Sequence, residues 1–397
     1  MALPSVESLE ALTHGAGAEA LRMAMDWPEP GPAEVTRLRK LVEAPVAAAA
    51  LQVAAARRSL RGRLSWAAEA WADREGAAQA SDEASAAWKA RRFAGAGAAI
   101  DLCCGIGADL RAMQAVVSAR GVDLRPERGW MAHRNTGRAC ETADVIALQF
   151  EERVAHLDPA RRDETGGGRM HGWATMQPDG TFVRQLASRL DGLMVKLGPG
   201  VDIPVDERPD GSELAFLSRG RSLTQAVLCT GSLCRHAHRN TAVLLDEGLE
   251  LAGAPTWNAA TGDASWPSCA SWKRFIAEPD PSLERSGLLP IAARAEGLQE
   301  RAAGLGMCTR DEEPTDASPW FRWFEFVATI PARLEDAQRE LRRLHASTVD
   351  VKVRGSAADP DAWSRALRGD GTEPFVLFVH RVGDGAEAVV ARRASAR

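Results

Sequence analysis

Ala98-Ala99-Ile100-Asp101-Leu102-Cys103-Cys104-Gly105-Ile106-Gly107-Ala108-Asp109-Leu110 is an apolar run that ends in an acid, followed by a turn with two glycines and a helix-forming segment. This order is typical of a parallel β-strand that passes into an α-helix beside a nucleotide-like ligand. Glycine suits such a turn because a Cβ would keep the ligand away from the backbone, and because left-handed turns favour it. Asp101, at the strand end, is placed to accept hydrogen bonds from a polar group of the ligand.

Strands and helices alternate beyond this stretch. The sequence predicts a first helix from the glycine turn to residue 117, further helices at 126–138 and 182–190, and strands at 119–124, 141–145, 156–162 and 192–197. That alternation favours a doubly wound, Rossmann-like parallel sheet. Two apolar runs at 213–216 and 225–228 predict an antiparallel hairpin after it.

The regions on either side of the sheet have other patterns. Apolar residues at helical spacing in 35–42 predict a helical N-terminal region, in which Ser81 is a suitable N-cap. The stretch Glu278-Pro279-Asp280-Pro281 predicts a hinge. The predicted fold class is α/β with four segments: a helical region at 1–92, the sheet domain at 93–277, a linker or small ferredoxin-like subdomain at 278–317, and a small α+β domain at 318–397.

Composition narrows the class of protein. The chain has 397 residues, of which 45% are hydrophobic, so it can bury the cores of two or three domains. It contains no apolar run of the ~18 residues that a membrane helix needs, and no secretory signal pattern. Seven cysteines without framework spacing favour a reducing cytoplasm. The net charge of −5 argues against a wholly basic nucleic-acid binder, although residues 318–397 hold 13 basic against 11 acidic side chains.

The spacing of glycines and acids indicates which ligand the turn binds. Leu110 stands at the third glycine position of the dinucleotide pattern, which disfavours NAD. An acid followed by Gly-x-Gly suits S-adenosylmethionine (SAM), with Asp123 placed to reach a ribose hydroxyl and Asp144 to meet the adenine. A glycine turn beside chance acids is the alternative, and three acids at successive strand ends disfavour it. The predicted cofactor site consists of Asp101, Cys103, Gly105, Gly107, Asp109, Asp123 and Asp144.

A second motif, Asp158-Pro159, falls at the end of the fourth predicted strand, where an acceptor would enter. An oxygen there can accept a hydrogen bond from the exocyclic amino group of a base and align its lone pair with the methyl group of SAM. Arg161 and Arg162 are predicted to hold a phosphate of the acceptor, and Lys196 to line its cleft. The alternative is that Asp158 caps a turn and that the three basic side chains lie in solvent or pair with surface acids.

Cysteine and histidine residues between Cys229 and His238 have the donor types of a zinc site. Their spacing, with four residues between Cys229 and Cys234, is unusual for a structural site, so we predict no metal. Cys103 and Cys104 have no neighbouring histidine in the sequence, and they are interpreted as packing residues rather than nucleophiles.

Several motifs together resemble one family, the bacterial class I SAM-dependent methyltransferases with a C-terminal THUMP-like domain. The resemblance covers about 79–382 and includes six pieces: the Asp101–Asp109 stretch, Asp158-Pro-Ala-Arg-Arg162, Lys196-Leu-Gly-Pro-Gly-Val-Asp202, Glu278-Pro-Asp-Pro281, Ser318-Pro-Trp-Phe321 and Val351-Lys-Val-Arg-Gly355. Ala108 stands where the family usually has glycine. The resemblance implies cofactor roles for Asp101, Gly105, Gly107, Asp123 and Asp144, and an acceptor role for Asp158 and Pro159.

The resemblance also implies a function. Because THUMP domains bind RNA, we expect a cytoplasmic enzyme that methylates RNA, such as tRNA or rRNA, at a base nitrogen. Two alternatives remain open: an RNA-binding protein whose methyltransferase fold has lost activity, and a small-molecule methyltransferase with an unrelated C-terminal domain. We expect no membrane and no metal partner.

Overall fold

The computed structural model describes residues 3–161, 172–173, 176–266, 268–314, 318–354, 358–383 and 385–394. The chain divides into two compact units. The N-terminal unit comprises Met1–Leu217 with Thr224–His238, and the C-terminal unit comprises Ser218–Leu223 with Arg239–Arg397. No helix among the described residues is both long and apolar enough to cross a lipid bilayer.

Helices precede the sheet, as the sequence predicts. They are α1 (Val6–Ala11), α2 (Gly15–Met25), α3 (Pro32–Leu41), α4 (Ala44–Leu60), α5 (Arg74–Gln79) and α6 (Glu83–Ala90). Their core uses small side chains, since Ala49, Ala50 and Ala54 of α4 are fully buried. The N-cap of α6 is Asp82, whose carboxylate accepts a hydrogen bond from the backbone N–H of Ser85, so the prediction of Ser81 as the cap is wrong by one residue.

The sheet of the N-terminal unit is built from alternating strands and helices: β1 (Ala98–Leu102), α7 (Ala108–Met113), β2 (Ser118–Asp123), α8 (Pro126–Thr136), β3 (Cys140–Thr142), β4 (Val154–Leu157), β5 (Ala160–Arg161), β6 (Met176–Gln177), α9 (Gly180–Arg189), β7 (Gly192–Leu197), β8 (Glu213–Arg219) and β9 (Ser222–Gly231). Strands of this unit lie in the order β8-β9-β7-β4-β1-β2-β3. Neighbours from β7 to β3 are parallel, and β9 is antiparallel to β7. The Rossmann-like prediction is confirmed.

The fourth strand is shorter than predicted. β4 ends at Leu157, and the chain then forms a two-residue strand, β5, that pairs with β6 rather than with the main sheet. Pro159 explains the break, because proline has no N–H to donate to a ladder. The helix α7 likewise ends at Met113 instead of residue 117.

The C-terminal unit has its own sheet. Its elements are β10 (Asn240–Leu244), β11 (Leu249–Gly253), β12 (Phe275–Pro279), α10 (Pro281–Ser286), α11 (Leu289–Ala295), β13 (Gln299–Glu300), β14 (Cys308–Arg310), β15 (Phe321–Pro331), α12 (Leu334–Arg343), β16 (Ala346–Val353), α13 (Pro360–Ala366), β17 (Glu373–Val382) and β18 (Gly385–Arg393). Among the described residues, seven strands form a sheet in the order β13-β14-β12-β15-β18-β17-β16. β10 and β11 form an antiparallel hairpin.

The predicted hinge at Glu278-Pro279-Asp280-Pro281 is wrong. Glu278 and Pro279 end the strand β12, which lies between β14 and β15, and Asp280 caps α10. The two prolines are compatible with regular structure here, because one closes a strand and the other occupies the first turn of a helix. Residues 278–310 therefore supply strands to the same sheet as β15–β18, where the sequence predicts a linker or a separate subdomain.

Candidate functional site

The turn after β1 has the backbone that the sequence predicts. Cys103, Gly105 and Gly107 have φ angles of 61°, 57° and 82°, all in the left-handed region. A Cβ on Gly105 would meet no atom within 4 Å, so this glycine borders open space. Ala108 begins α7, and a helical residue needs no glycine, so the alanine at this family position introduces no backbone strain.

Asp101 lies deeper than the sequence suggests. It is fully buried, and its Oδ1 lies 2.6 Å from Nδ1 of His156. The two residues are register partners on the parallel strands β1 and β4, which places their side chains on the same face of the sheet. Burial raises the pKa of Asp101, and the contact with His156 opposes part of this rise. His156 is a residue that the sequence analysis missed.

The other two predicted cofactor acids lie at the ends of the next strands. Asp123 ends β2, and its carboxylate accepts hydrogen bonds from the backbone N–H groups of Gly105 at 2.9 Å and Arg125 at 3.0 Å. Asp144 follows β3 and is exposed, and it accepts from the N–H of Ile146 at 2.9 Å. A carboxylate has about four lone-pair sites, so both acids retain acceptor capacity for a ligand hydroxyl or amine.

Asp109 belongs to a buried ionic cluster at the start of α7. Its Oδ1 lies 2.7 Å from Nζ of Lys89, and Ser81 Oγ donates to its Oδ2 at 2.8 Å. Burial alone would raise the pKa of Asp109, but the nearby positive charges, Lys89 first, outweigh it and hold this pKa well below its usual range. Lys89 and Ser81 were not predicted to belong to the site. The available signal was a single lysine within the otherwise uncharged stretch 84–90, most of which is buried in α6.

Asp158 and Lys196, which were both predicted to contact the acceptor, contact each other. The N–H of Asp158 donates to the carbonyl of Leu102 at 3.0 Å, so the motif lies beside the end of β1. Its Oδ2 lies 2.7 Å from Nζ of Lys196, which also donates to the carbonyl of Gln79 at 2.8 Å. Burial opposes the charge of Lys196, but Asp158 and Asp109 overcome this effect and raise its pKa. Pro159 is buried next to Asp158.

The structure gives less information on the remaining predicted site residues. Arg162 lies outside the described residues, and for Arg161 the structure describes the backbone only, in β5. Burial and the charge of Asp123 raise the pKa of the Cys103 thiol well above its ordinary value, so a thiol nucleophile is disfavoured.

Among the described residues, no three or more His, Cys, Asp or Glu side chains come together as a metal site requires. Cys229 is buried within β9, whereas His236 and His238 follow the strand in a loop.

These residues fit SAM. Gly105 borders open space, and its N–H donates to Asp123, while Asp101 lies in the strand just before this turn. The two acids would supply acceptors for ribose hydroxyls and for an ammonium group. Leu124 and Ile146 follow β2 and β3 and expose 63% and 57% of their surface, although they are apolar. Exposed apolar side chains at the ligand edge suit contact with the flat face of a purine. Asp101, Asp123 and Asp144 are the residues that would hold the cofactor.

Comparison with known proteins supports the same assignment. The family described as THUMP domain-like matches residues 321–393. An uncharacterized SAM-dependent methyltransferase, found in two Mycobacterium tuberculosis strains, CDC 1551 and H37Rv, is 29% identical over 309 residues, which cover 75% of this chain and 80% of the relative.

A solved structure supports the fold over almost the whole length. The crystal structure of a candidate methyltransferase from Porphyromonas gingivalis W83 superposes with a TM-score of 0.74 at 17% identity, over 98% of this chain and 99% of that one. This similarity extends from the N-terminal helices through the C-terminal sheet. The chain thus has the fold of the class I SAM-dependent methyltransferases with a C-terminal THUMP-like domain, and the predicted resemblance to that family is confirmed.

Proposed function

We propose that this protein transfers the methyl group of SAM to RNA, at an amino nitrogen of a base. The enzyme class follows from the similarities: the chain is a SAM-dependent methyltransferase with SAM as its cofactor. The observation that carries the acceptor part is the position of Asp158. Its backbone is hydrogen-bonded to Leu102, directly before the glycine turn, so an acceptor at Asp158 lies next to the cofactor site.

The residues of the acceptor edge have separable tasks. When bound, SAM supplies an electrophilic methyl group on a sulfonium sulfur. Asp158 accepts a hydrogen bond from the acceptor's amino group and thereby directs the nitrogen lone pair. Nζ of Lys196 lies 2.7 Å from Oδ2 of Asp158 and restrains the carboxylate, and we assign the other oxygen, Oδ1, to the acceptor. Orientation of this kind is the main contribution a protein makes when the cofactor carries the reactivity.

RNA as the acceptor is supported by the THUMP-like match at 321–393 and by exposed arginines in that region. On α12, Arg339 and Arg343 expose 76% and 66% of their side chains. Such side chains can approach phosphates at little cost, because guanidinium groups match phosphate oxygens in geometry. Arg161, Arg162 and Lys196 remain proposed contacts to the acceptor.

The experiment is to incubate the full chain with labelled SAM and, separately, size-fractionated cellular RNA and small metabolites. Label in an RNA fraction supports the proposal, and label only in metabolites selects the small-molecule alternative. RNA binding without any transfer selects the alternative of an inactive RNA-binding protein. Measuring S-adenosylhomocysteine binding in parallel checks the cofactor site independently of the acceptor.

The Asp158→Ala variant tests the acceptor residue. We expect a loss of at least about 100-fold in the transfer rate, because the side chain orients the nucleophile. Asp158→Asn keeps an acceptor oxygen and should retain more activity than Asp158→Ala. Affinity for S-adenosylhomocysteine should change less than about threefold in both. The exposed acid Asp191, changed to alanine, is the control, and equal activity of the Asp158→Ala and Asp191→Ala variants would refute the assignment.

A further inference from the structure

A buried aspartate and histidine lie side by side at the cofactor edge, and nothing in the acceptor chemistry uses the histidine. Asp101 is 0% exposed and His156 is 1% exposed. Their contact, from Nδ1 to Oδ1, is 2.6 Å. Among the described residues, neither Oδ2 of Asp101 nor Nε2 of His156 has a hydrogen-bond partner. A buried carboxylate oxygen without a donor is costly, and a bound ligand that supplies the donor relieves the cost.

Three of the acids at this edge each contact a basic side chain. Asp109 pairs with Lys89 at 2.7 Å, Asp158 pairs with Lys196 at 2.7 Å, and Asp101 contacts His156. His156 differs from the two lysines because its ring is held by the strand β4, so that Nδ1 contacts one carboxylate oxygen of Asp101 while the other oxygen keeps no protein partner among the described residues. Around Asp101, the other titratable groups that face it are Asp109 on α7, Asp158 after β4, Lys196 on β7 and the thiols of Cys103, Cys104 and Cys140.

We propose that His156 is a positioning residue for the cofactor: it holds the carboxylate of Asp101 as an anion with Oδ2 available to the ammonium group of SAM. The inference rests on the proposed function and deepens it, since it assigns the recognition of the amino-acid end of the cofactor to a pair rather than to one acid. The register of β1 and β4 fixes the pair, because Asp101 and His156 are direct partners in the parallel ladder. His156 itself does not touch the cofactor.

Replacing His156 should therefore change both the affinity for a ligand that carries the amino-acid end of SAM and the dependence of that affinity on pH. Burial raises the pKa of Asp101, while Asp109 and Asp158 add to the rise and His156 opposes it. In His156→Gln the amide still fills space and donates a hydrogen bond, but it carries no charge, so the pKa of Asp101 rises further. The anion needed for the ammonium is then lost as the pH falls, and the dissociation constant rises about tenfold for each pH unit below that pKa.

The test measures equilibrium binding by calorimetry with two ligands between pH 6 and pH 8. S-Adenosylhomocysteine carries the amino-acid end, whereas 5′-methylthioadenosine lacks it. We expect wild-type affinity for S-adenosylhomocysteine to vary less than about threefold over this range. His156→Gln should bind this ligand at least about tenfold more weakly, with the largest loss at pH 6. Its affinity for 5′-methylthioadenosine should stay within about twofold of wild type.

Control variants distinguish a failure of the proposed function from a failure of the proposed role of His156. His133→Gln, which removes an exposed histidine of α8, should leave both affinities and both profiles unchanged. Asp101→Asn should lose affinity for S-adenosylhomocysteine selectively and without a pH dependence, and His156→Asn takes the place of His156→Gln if that variant does not fold. Wild-type protein that binds neither ligand overturns the proposed function together with the pair. Wild-type binding with equal losses for both ligands in His156→Gln, or with no loss, overturns the role of His156 alone.

Discussion

Cys103 adopts a backbone conformation that glycine usually occupies. Its φ angle is 61°, and it is flanked by the strand end and the glycine turn. A left-handed conformation costs an L-residue about 1–2 kcal/mol, whereas glycine costs about 0.5–1 kcal/mol more in unfolded-state entropy. We therefore expect Cys103→Gly to raise the free energy of unfolding by up to about 1 kcal/mol, as measured by urea denaturation.

Cys104→Gly is the matched control for this prediction. Cys104 is adjacent, 8% exposed, and not among the residues with positive φ. Glycine there loses packing and gains unfolded-state entropy, so the free energy of unfolding should fall by about 1–2 kcal/mol. If Cys103→Gly is destabilised as much as Cys104→Gly, the positive φ of Cys103 costs no free energy that a glycine would recover.

The positions of three acids relative to the strands were predictable from the sequence. Asp101 is the last residue but one of β1, Asp123 ends β2 and Asp158 directly follows β4, and a local pattern of apolar run plus acid locates such positions. Their partners were not predictable. The contact of His156 with Asp101 depends on which strands are neighbours and in which register, and residues 55 positions apart carry no local signal of that register.

The helices α6 and α7 are joined by the buried pair of Lys89 and Asp109. Lys89→Met should lower the free energy of unfolding by about 3–5 kcal/mol at pH 7, because it leaves a buried carboxylate without its cation. The double variant Lys89→Met/Asp109→Leu should recover most of that loss, since it removes both charges. Thermal and urea unfolding of the four proteins measure the coupling, and additive losses in the double variant would contradict it.

Lowering the pH should reduce the loss of stability that Lys89→Met causes. The direction of this change follows from the lowered pKa of Asp109. Its pKa is lowered in the folded protein, so the stability that the pair contributes is present above the unfolded pKa of about 3.9 and is lost as the pH falls towards the folded pKa. In Lys89→Met the carboxylate takes up a proton more readily. The difference in unfolding free energy between wild type and variant should therefore shrink below about pH 5.

Regular elements were predicted with unequal success, for physical reasons. β7, at Gly192–Leu197, agrees with its prediction at both ends because a continuous apolar run is followed by glycine and proline. β12 was missed because two prolines within four residues resemble a hinge, although the strand is buried between β14 and β15. A central position in a sheet is set by its neighbours in space, which a local pattern does not contain.

The division of the chain into two units reflects pairing across long sequence distances. β12 pairs with β15, about 45 residues later, and β15 pairs with β18, so the sheet that contains the THUMP-like match begins before the matched residues. The sequence predicted a domain boundary near residue 318, because the segment after it has a complete pattern of strands and helices by itself. The residue pattern predicted the Rossmann-like sheet and the α+β segment at 318–397, and the family resemblance added the THUMP-like assignment, but neither predicted the strands that complete the second sheet.

If the protein acts on RNA, the arginines of α12 should contribute to binding through phosphates. Arg339 and Arg343 each pair with an acid three residues earlier, and exposed pairs of this kind contribute about 0.2–1 kcal/mol or less to stability. The double variant Arg339→Gln/Arg343→Gln should therefore fold normally and bind S-adenosylhomocysteine like wild type. Its affinity for single-stranded RNA should fall, and the slope of log K against log salt should become shallower by about 1.4, which corresponds to two lost phosphate contacts. Arg22→Gln, on the exposed face of α2, should leave the slope unchanged. An unchanged slope in the double variant would remove α12 from the RNA-binding surface while leaving the cofactor site untouched.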